Sequence, residues 1–208
     1  MKTVVIKGSD LSYAVDTIMR GGVVAVPTET VYGLAANGLD ANAVAKIYEL
    51  KGRPAVKPLS LLVPGLDAAE CFCALVPDSA RLLAEAFWPG PLTIVLPSSD
   101  EVPDIVRAGG DTIGIRCPNH LKTLALLNLL KVPLAAPSAN ISNRPSPKNV
   151  DDVLSYFDGK IDCIIDGGTC TFGTESTLVL LSSEIGYYKV LRQGVLTEED
   201  IMGVLGYS

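Results

Sequence analysis

The sequence predicts an α/β protein built on a mixed sheet with flanking helices. Strand-like and helix-like apolar patterns alternate along most of the chain, which is typical of α/β sheets. Two late apolar runs, at 177–181 and 187–191, are separated by residues 182–186 and predict an antiparallel pair, which makes the sheet mixed. Charged residues are 19% of the total, below the roughly 25% usual for soluble domains, so many elements should be buried. The 208 residues fit a single domain over 1–208.

The first half of the chain contains the clearest helix signals. Asp10 and Asp40 are placed to cap helices, and Gly21-Gly22 closes the first of them. The predicted elements are a strand at 3–6, a helix at 10–20, a strand at 23–26, a helix at 40–51, a strand at 59–63 and helical stretches around 68–75 and 78–87.

A hard break at Trp88-Pro89-Gly90-Pro91 opens the second half. Thr197, with Asp200 three residues later, predicts a capping box at the start of the last helix. The other predicted elements are strands at 92–96, 112–116, 132–136 and 162–165, a helix at 121–130 and a helix that starts at Asp151 or Asp152 and runs to Phe157.

Composition narrows the location and the chemistry. No apolar run reaches the about 18 residues that span a bilayer, and the short apolar start lacks the features of a signal peptide. We therefore expect a cytoplasmic protein with no membrane partner. The five cysteines form no C-x-x-C and the chain has one histidine, so we expect buried or incidental thiols and leave any metal site unassigned.

Polar clusters follow several predicted elements, where loops present side chains on a rigid base. They are 27–34, 51–54, 116–120, 137–140, 174–177 and 191–194. Lys51, Arg53 and Lys57 together could bind a polyphosphate, or they could form a solvated helix end. The net charge of −6 argues against general binding of nucleic acid, yet basic residues in these clusters suit a small anion.

Arg116 and Arg192 each end an apolar strand, where a guanidinium requires an anion. We predict that Arg116 and the helix start that follows it together fit a carboxylate, with an internal salt bridge of Arg116 as the alternative. We further predict that Asn119 caps a helix beginning at His120, whose position at a helix start favours the neutral imidazole. Ser138 and Asn140 could form a binding site or a plain turn.

Other catalytic motifs find little support. Residues 168–173 have the glycine spacing of a P-loop, but Thr174-Glu175 stands where the lysine is required. The sequence has no G-x-S-x-G motif, and nothing supports a Ser-His-Asp triad around His120.

Taken in order, these clusters resemble the YrdC/Sua5 family, the threonylcarbamoyl-AMP synthases of tRNA modification. The matching pieces are Pro27 to Leu34, Lys51-x-Arg53-Pro54, Arg116-x-Pro118-x-His120, Ser138-Ala139-Asn140, Ser176-Thr177 and Leu191-Arg192-x-Gly194. The resemblance implies a twisted open mixed sheet with flanking helices and a concave basic cleft, in the short single-domain form. Two departures are Leu62, where family members often carry histidine, and Leu180, where they often carry aspartate.

The resemblance also implies a reaction. ATP, L-threonine and bicarbonate or CO2 would give threonylcarbamoyl-AMP and pyrophosphate, with Mg²⁺ expected alongside ATP, and a separate complex would transfer the threonylcarbamoyl group to adenosine 37 of tRNA. Lys51, Arg53 and Arg192 would compensate charge, with no dedicated general base. The threonine contacts implied are Thr30, Arg116, Ser138 and Ser176; the ATP contacts are Lys51, Arg53, Lys57, Thr112, Asn140, Ser146 and Arg192; further candidates are His120 and Arg144.

Carbamates decompose in water, so we expect loop 140–149, with Arg144, Ser146 and Lys148, to close over the site as a lid. Two other functions stay open at this point. One is an RNA-binding module without catalysis, and the same family fold leaves weak tRNA binding open. The other is a related carbamoyl transferase of the kind found in hydrogenase-maturation proteins.

Overall fold

The computed structural model describes residues 2–181 and 188–206, and the ten strands found there form one sheet. Along the sheet the strand order is β1-β8-β2-β3-β7-β4-β6-β5-β9-β10. In chain order the strands are β1 (Val4–Ile6), β2 (Val24–Val26), β3 (Gly33–Asn37), β4 (Ser60–Leu62), β5 (Leu92–Pro97), β6 (Thr112–Arg116), β7 (Leu134–Ala135), β8 (Cys163–Ile165), β9 (Thr177–Leu181) and β10 (Tyr188–Arg192).

The sheet is mixed, as predicted. Strand β8 pairs in parallel with β1 and β2, β4 with β6, and β5 with β9, whereas the other neighbouring pairs are antiparallel. The predicted late pair is β9 and β10, antiparallel with a bulge before Arg192. Its predicted connection at 182–186, and Tyr187, lie outside the described residues.

Helices cover the two faces of the sheet unequally. In chain order they are α1 (Ser12–Met19), α2 (Ala41–Lys51), α3 (Leu66–Glu70), α4 (Asp78–Phe87), α5 (Asp104–Arg107), α6 (Leu121–Leu130), α7 (Val150–Phe157) and α8 (Glu198–Leu205). The larger apolar cluster joins one face to α2, α3, α4, α5, α7 and α8, and the smaller one joins the other face to α1 and α6. Among the described residues the smaller cluster takes nothing from β5, β6 or β9, so that end of the second face is free of helices.

Several boundaries differ from the prediction for local reasons. Strand β3 was not predicted because its glycine and alanines lack the β-branched residues typical of strands, and the four-residue helix α5 was also missed. Helix α1 begins at Ser12, with Leu11 at the cap position, although Asp10 accepts a hydrogen bond from the Ser12 N–H (2.9 Å).

Capping by polar side chains was predicted well elsewhere. Asp40 accepts from the backbone of Asn42 and Ala43, and Thr197 forms the predicted capping box with Asp200. Helix α7 is capped by Asn149 instead of an aspartate. Predicted elements at 68–75 and 132–136 are shorter in the structure, at Leu66–Glu70 and Leu134–Ala135. No helix in the described part of the chain has the length and apolar character needed to cross a bilayer.

Candidate functional site

A cavity of about 360 Å³ lies on the sheet face that the helices leave free. Its floor is formed by alternate residues of neighbouring strands, which share one face of a sheet. Gly114 keeps this floor open, because a Cβ there would lie 2.8 Å from Ser60 Oγ and 3.2 Å from Thr93 Cγ2. The sequence-predicted residues that line the cavity are Thr30, Lys51, Arg53, Lys57, Arg116, Ser138, Asn140, Arg144, Ser146, Ser176 and Arg192.

Arg116 is held by partners inside the protein. Its Nη2 donates to Glu29 Oε1 at 2.7 Å and to Thr30 Oγ1 at 2.9 Å, and its Nε donates to the Gly90 carbonyl at 3.1 Å. Burial lowers the pKa of the guanidinium and the Glu29 carboxylate opposes that shift. The alternative of an internal salt bridge is therefore realised, and the contact of Arg116 with a substrate carboxylate stays a prediction. Within the described chain only Nη1 has no hydrogen-bond partner and stays open to a ligand.

Glu29 is a functional-site residue that the sequence reasoning left without a role. Its Oε2 accepts the backbone N–H of Asn119 at 3.0 Å, so one buried carboxylate joins the loop after β2 to the end of β6. The prediction that Asn119 caps a helix beginning at His120 is wrong. His120 occupies the N-cap position of α6, the helix begins at Leu121, and no side chain caps it.

His120 lies outside the lining of the cavity. Its pKa is lowered, as predicted, but the main cause is burial, opposed by the backbone of Gly167 and by Glu29. Its Nδ1 is buried without a partner among the described residues, and a Cβ on Gly167 would lie 2.6 Å from its Nε2. The structure thus gives His120 a packing position behind the site.

Lys51 reaches inward from the last turn of α2, and only 2% of it is exposed. Its ammonium donates to the carbonyl of Ser138, to the carbonyl of Asn140 (2.6 Å) and to Asn140 Oδ1 (3.3 Å). Burial first, and Arg53 second, lower the pKa of Lys51 to about 8. Lys51 and Asn140 thus shape the 138–144 turn, and the ammonium of Lys51 is hydrogen-bonded to protein oxygens.

The remaining cationic side chains differ in whether they form hydrogen bonds within the protein. Arg53 donates from Nε and Nη2 to the carbonyls of Lys57 (3.2 Å) and Pro58 (2.9 Å), and burial lowers the pKa of its guanidinium. The side chains of Lys57 and Arg144 are exposed and form no hydrogen bond or ion pair with any described residue. These two cations are free to meet an anion.

Arg192 and Ser176 face each other across the β9–β10 pair. Arg192 donates from Nε and Nη2 to the Ser176 carbonyl (3.2 and 3.0 Å), and its Nη1 forms an ion pair with Glu175. The Ser176 hydroxyl lies 2.8 Å from Thr93 Oγ1. The burial argument made for Arg192 is wrong, because 44% of its side chain is exposed at the bulge.

Loop 140–149 is braced along its length. Ser142 N–H donates to the Lys51 carbonyl, Tyr32 N–H to that of Pro147, and Cys170 N–H to that of Lys148. Asn140 Nδ2 donates to the carbonyls of Ile141 (3.1 Å) and Arg144 (2.5 Å), and Tyr156 OH to that of Pro145 (3.1 Å). If the loop moved as a whole, its bonds to Lys51, Tyr32, Cys170 and Tyr156 would break. Its closure over the site as a lid stays a prediction.

Three further residues singled out from the sequence differ in their position relative to the cavity. Thr112 does not line the cavity, although it shares the sheet face of Gly114 and Arg116 at the far end of β6. Leu62 lines the cavity and is 3% exposed. Leu180 lies opposite Lys189 in the edge pair, which remains regular there.

Tyr32 was missed as a contributor although it lies within the 27–34 cluster. Its hydroxyl accepts from Gly167 N–H (3.0 Å) and donates to the Gly168 carbonyl (2.9 Å), which fixes the loop after β8. Burial raises the pKa of this phenol to about 12, so it remains a neutral donor.

The chain matches one family model and several known proteins. The family model Sua5_yciO_yrdC, described as "Telomere recombination", matches residues 16–194. Over 189 residues the chain is 48% identical to the threonylcarbamoyl-AMP synthase of Pyrococcus abyssi, covering 91% of this chain and 55% of that protein. Over 197 residues it is 42% identical to the enzyme of the same name from Bacillus subtilis, covering 94% and 56%.

A solved structure is similar in fold and sequence. It is P. abyssi Sua5 complexed with L-threonine, with a TM-score of 0.93, 44% sequence identity, and coverage of 99% of this chain and 61% of that one. The chain thus spans somewhat more than half the length of these relatives.

Proposed function

The chain belongs to the Sua5/YciO/YrdC family, and from this premise we propose that it is an L-threonylcarbamoyladenylate synthase. This nucleotidyltransferase makes threonylcarbamoyl-AMP and pyrophosphate from ATP, L-threonine and bicarbonate or CO2. A separate complex then transfers the threonylcarbamoyl group to adenosine 37 of tRNA, within the cytoplasm. The names of the two relatives and the L-threonine in the P. abyssi Sua5 structure support the substrate assignment.

One observation carries the proposal. Arg53, Arg116 and Arg192 come from distant parts of the chain and line a single cavity. Chance placement of surface arginines would leave them in separate regions of solvent, whereas here they surround a space of a size suited to small ligands.

Two groups of lining residues suit two substrates. Near β6, Arg116 Nη1 offers donors for the threonine carboxylate, and the hydroxyls of Thr30, Ser138 and Ser176 also line the cavity. Toward the braced loop, Lys57, Arg53 and Arg144 are placed for a polyphosphate, joined by Arg192 when it leaves Glu175.

The chemistry joins two anions, so charge compensation is the main task. The threonine amine attacks CO2, losing protons to solvent, and a carbamate oxygen then attacks the α-phosphorus in line while the bond to pyrophosphate breaks. Cations fixed around the phosphates offset the charge that develops there, and fixed geometry places the reactants together. No side chain need act as a general base.

Mg²⁺ would enter with ATP as part of the substrate. Among the described residues no group of three or more His, Cys, Asp or Glu side chains could hold a metal. Glu29 and Glu175 are both engaged with arginines. Protein ligands for Mg²⁺ among the described residues would therefore be few, and the phosphates of ATP would supply much of its coordination.

The test is pyrophosphate release by the chain incubated with ATP and bicarbonate, with and without L-threonine. We expect release that depends on threonine, and L-valine serves as the control of similar shape without the hydroxyl. Release that is the same with and without threonine would overturn the proposal.

A further inference from the structure

Glu175 places a carboxylate among the cations of the cavity. It is the acidic side chain among the described lining residues. Its Oε2 forms the ion pair with Arg192 Nη1, and its Oε1 accepts the Ser146 hydroxyl at 3.0 Å. Its charge also reaches Lys51 and Arg53, since it raises the pKa of both against the effect of burial.

The position of this carboxylate conflicts with the proposed ligand. A polyphosphate would be drawn to the same guanidinium and the same hydroxyl that Glu175 now occupies. Two anions at these donors would repel each other, and the repulsion is only partly screened because 35% of the Glu175 side chain is exposed. Polyphosphate binding therefore requires Glu175 to give up Arg192 and Ser146.

We propose that Glu175 competes with the pyrophosphate product for Arg192 and Ser146 and so lowers the affinity of the cavity for pyrophosphate. The inference rests on the proposed function. Without polyphosphate, Glu175 bonds to Arg192 of β10 and to Ser146 of loop 140–149. Bound pyrophosphate displaces Glu175 from both residues, and Glu175 bonds to them again as pyrophosphate leaves. Glu175 thereby sets how long pyrophosphate stays.

Two other roles fit the geometry less well. As a general base Glu175 would act with both oxygens already engaged, since Arg192 and Ser146 each donate to one of them. As a metal ligand it would need neighbours, and none complete a set among the described residues.

The experiment measures inorganic pyrophosphate binding to the full chain by calorimetry. Glu175→Gln keeps the shape and removes the charge, and we expect it to bind pyrophosphate about tenfold tighter, the order expected for one unit charge close to a polyphosphate. Glu175→Asp keeps the charge and should change affinity by less than about threefold. Glu70→Gln, at a surface pair with Arg81 away from the cavity, is the matched control and should equal the wild type.

Steady-state inhibition gives the second readout. Pyrophosphate should inhibit Glu175→Gln at about tenfold lower concentration than it inhibits the wild type. Should Glu175→Gln fail to fold in a thermal scan, Glu175→Ala serves as the uncharged variant with the same expected direction.

The outcomes separate the two proposals. A wild-type chain that binds no pyrophosphate contradicts the proposed function itself. Wild-type binding with equal or weaker binding by the uncharged variant overturns the role of Glu175. An uncharged variant that binds as the wild type does but has lost turnover overturns it also, in favour of a part for Glu175 in the chemical step.

Discussion

Removing Arg116 tests how the buried pair supports both the fold and the site. The side chains of Arg116 and Glu29 are 8% and 6% exposed and lie 2.7 Å apart. Arg116→Ala leaves the Glu29 carboxylate buried with one remaining donor, the Asn119 N–H. Breaking a buried pair in this way costs about 3–5 kcal/mol, and at roughly 2–4 °C per kcal/mol the apparent Tm should fall by roughly 6–20 °C.

The assay is thermal unfolding combined with turnover below the lowered Tm. We expect Arg116→Ala to release no threonine-dependent pyrophosphate even where it is fully folded, because Nη1 is lost with the guanidinium. Arg81→Ala removes an exposed partner of Glu70 and should shift stability by about 1 kcal/mol or less. Equal shifts for the two variants would refute the reasoning.

A double-mutant cycle isolates the pair itself. Glu29→Gln alone leaves Arg116 buried without a counter-charge, so it too should destabilise the fold. The double variant should be more stable than the sum of the single effects by about 2 kcal/mol. A coupling near zero would mean that Gly90 and Thr30, the other partners of Arg116, account for the stability it provides.

Two further predictions concern Lys51 and Gly194. Burial lowers the pKa of Lys51 to about 8, so the pyrophosphate affinity of the wild type relative to that of Lys51→Met should fall as the pH rises through 8. A ratio of the two affinities that stays constant across pH 7–9 would contradict this. A Cβ on Gly194 would lie 2.2 Å from the Glu175 carbonyl, so Gly194→Ala should reduce turnover about tenfold or more. The control Gly203→Ala lies in open space within α8 and should stabilise the fold by about 1 kcal/mol. Similar effects of the two substitutions on turnover would refute the packing argument.

The sequence predicted the mixed sheet because its strands carry strong local signals. Runs such as 92–96 and 112–116 are apolar and β-branched, and Asp40 and Thr197 cap helices through bonds within four residues. Strand β3 escaped because its residues are small, and only pairing with β2 and β7 makes it a strand. Its formation depends on contacts that no local window contains.

The site was predictable in membership and less so in arrangement. The resemblance to the YrdC/Sua5 family implied that Arg116, Ser138 and Ser176 share one site, and all three line the cavity. The partners were out of reach, since Glu29 and Arg116 are 87 residues apart in sequence. The carbonyl oxygens of Ser138 and Asn140 are similarly far in sequence from Lys51. The sequence therefore could not show that the Lys51 ammonium already donates to the protein.

Arg192 follows the other arginines of the cavity in chain order, which has a consequence for how the protein is made. On the ribosome, chains emerge N-terminus first, so the lining of the cavity stays incomplete until residue 192 has left the exit tunnel. A nucleotide that binds only the complete cavity would then stabilise the last strand pair against fraying. Such binding would in this way stabilise only chains in which all lining residues of the cavity have been synthesised.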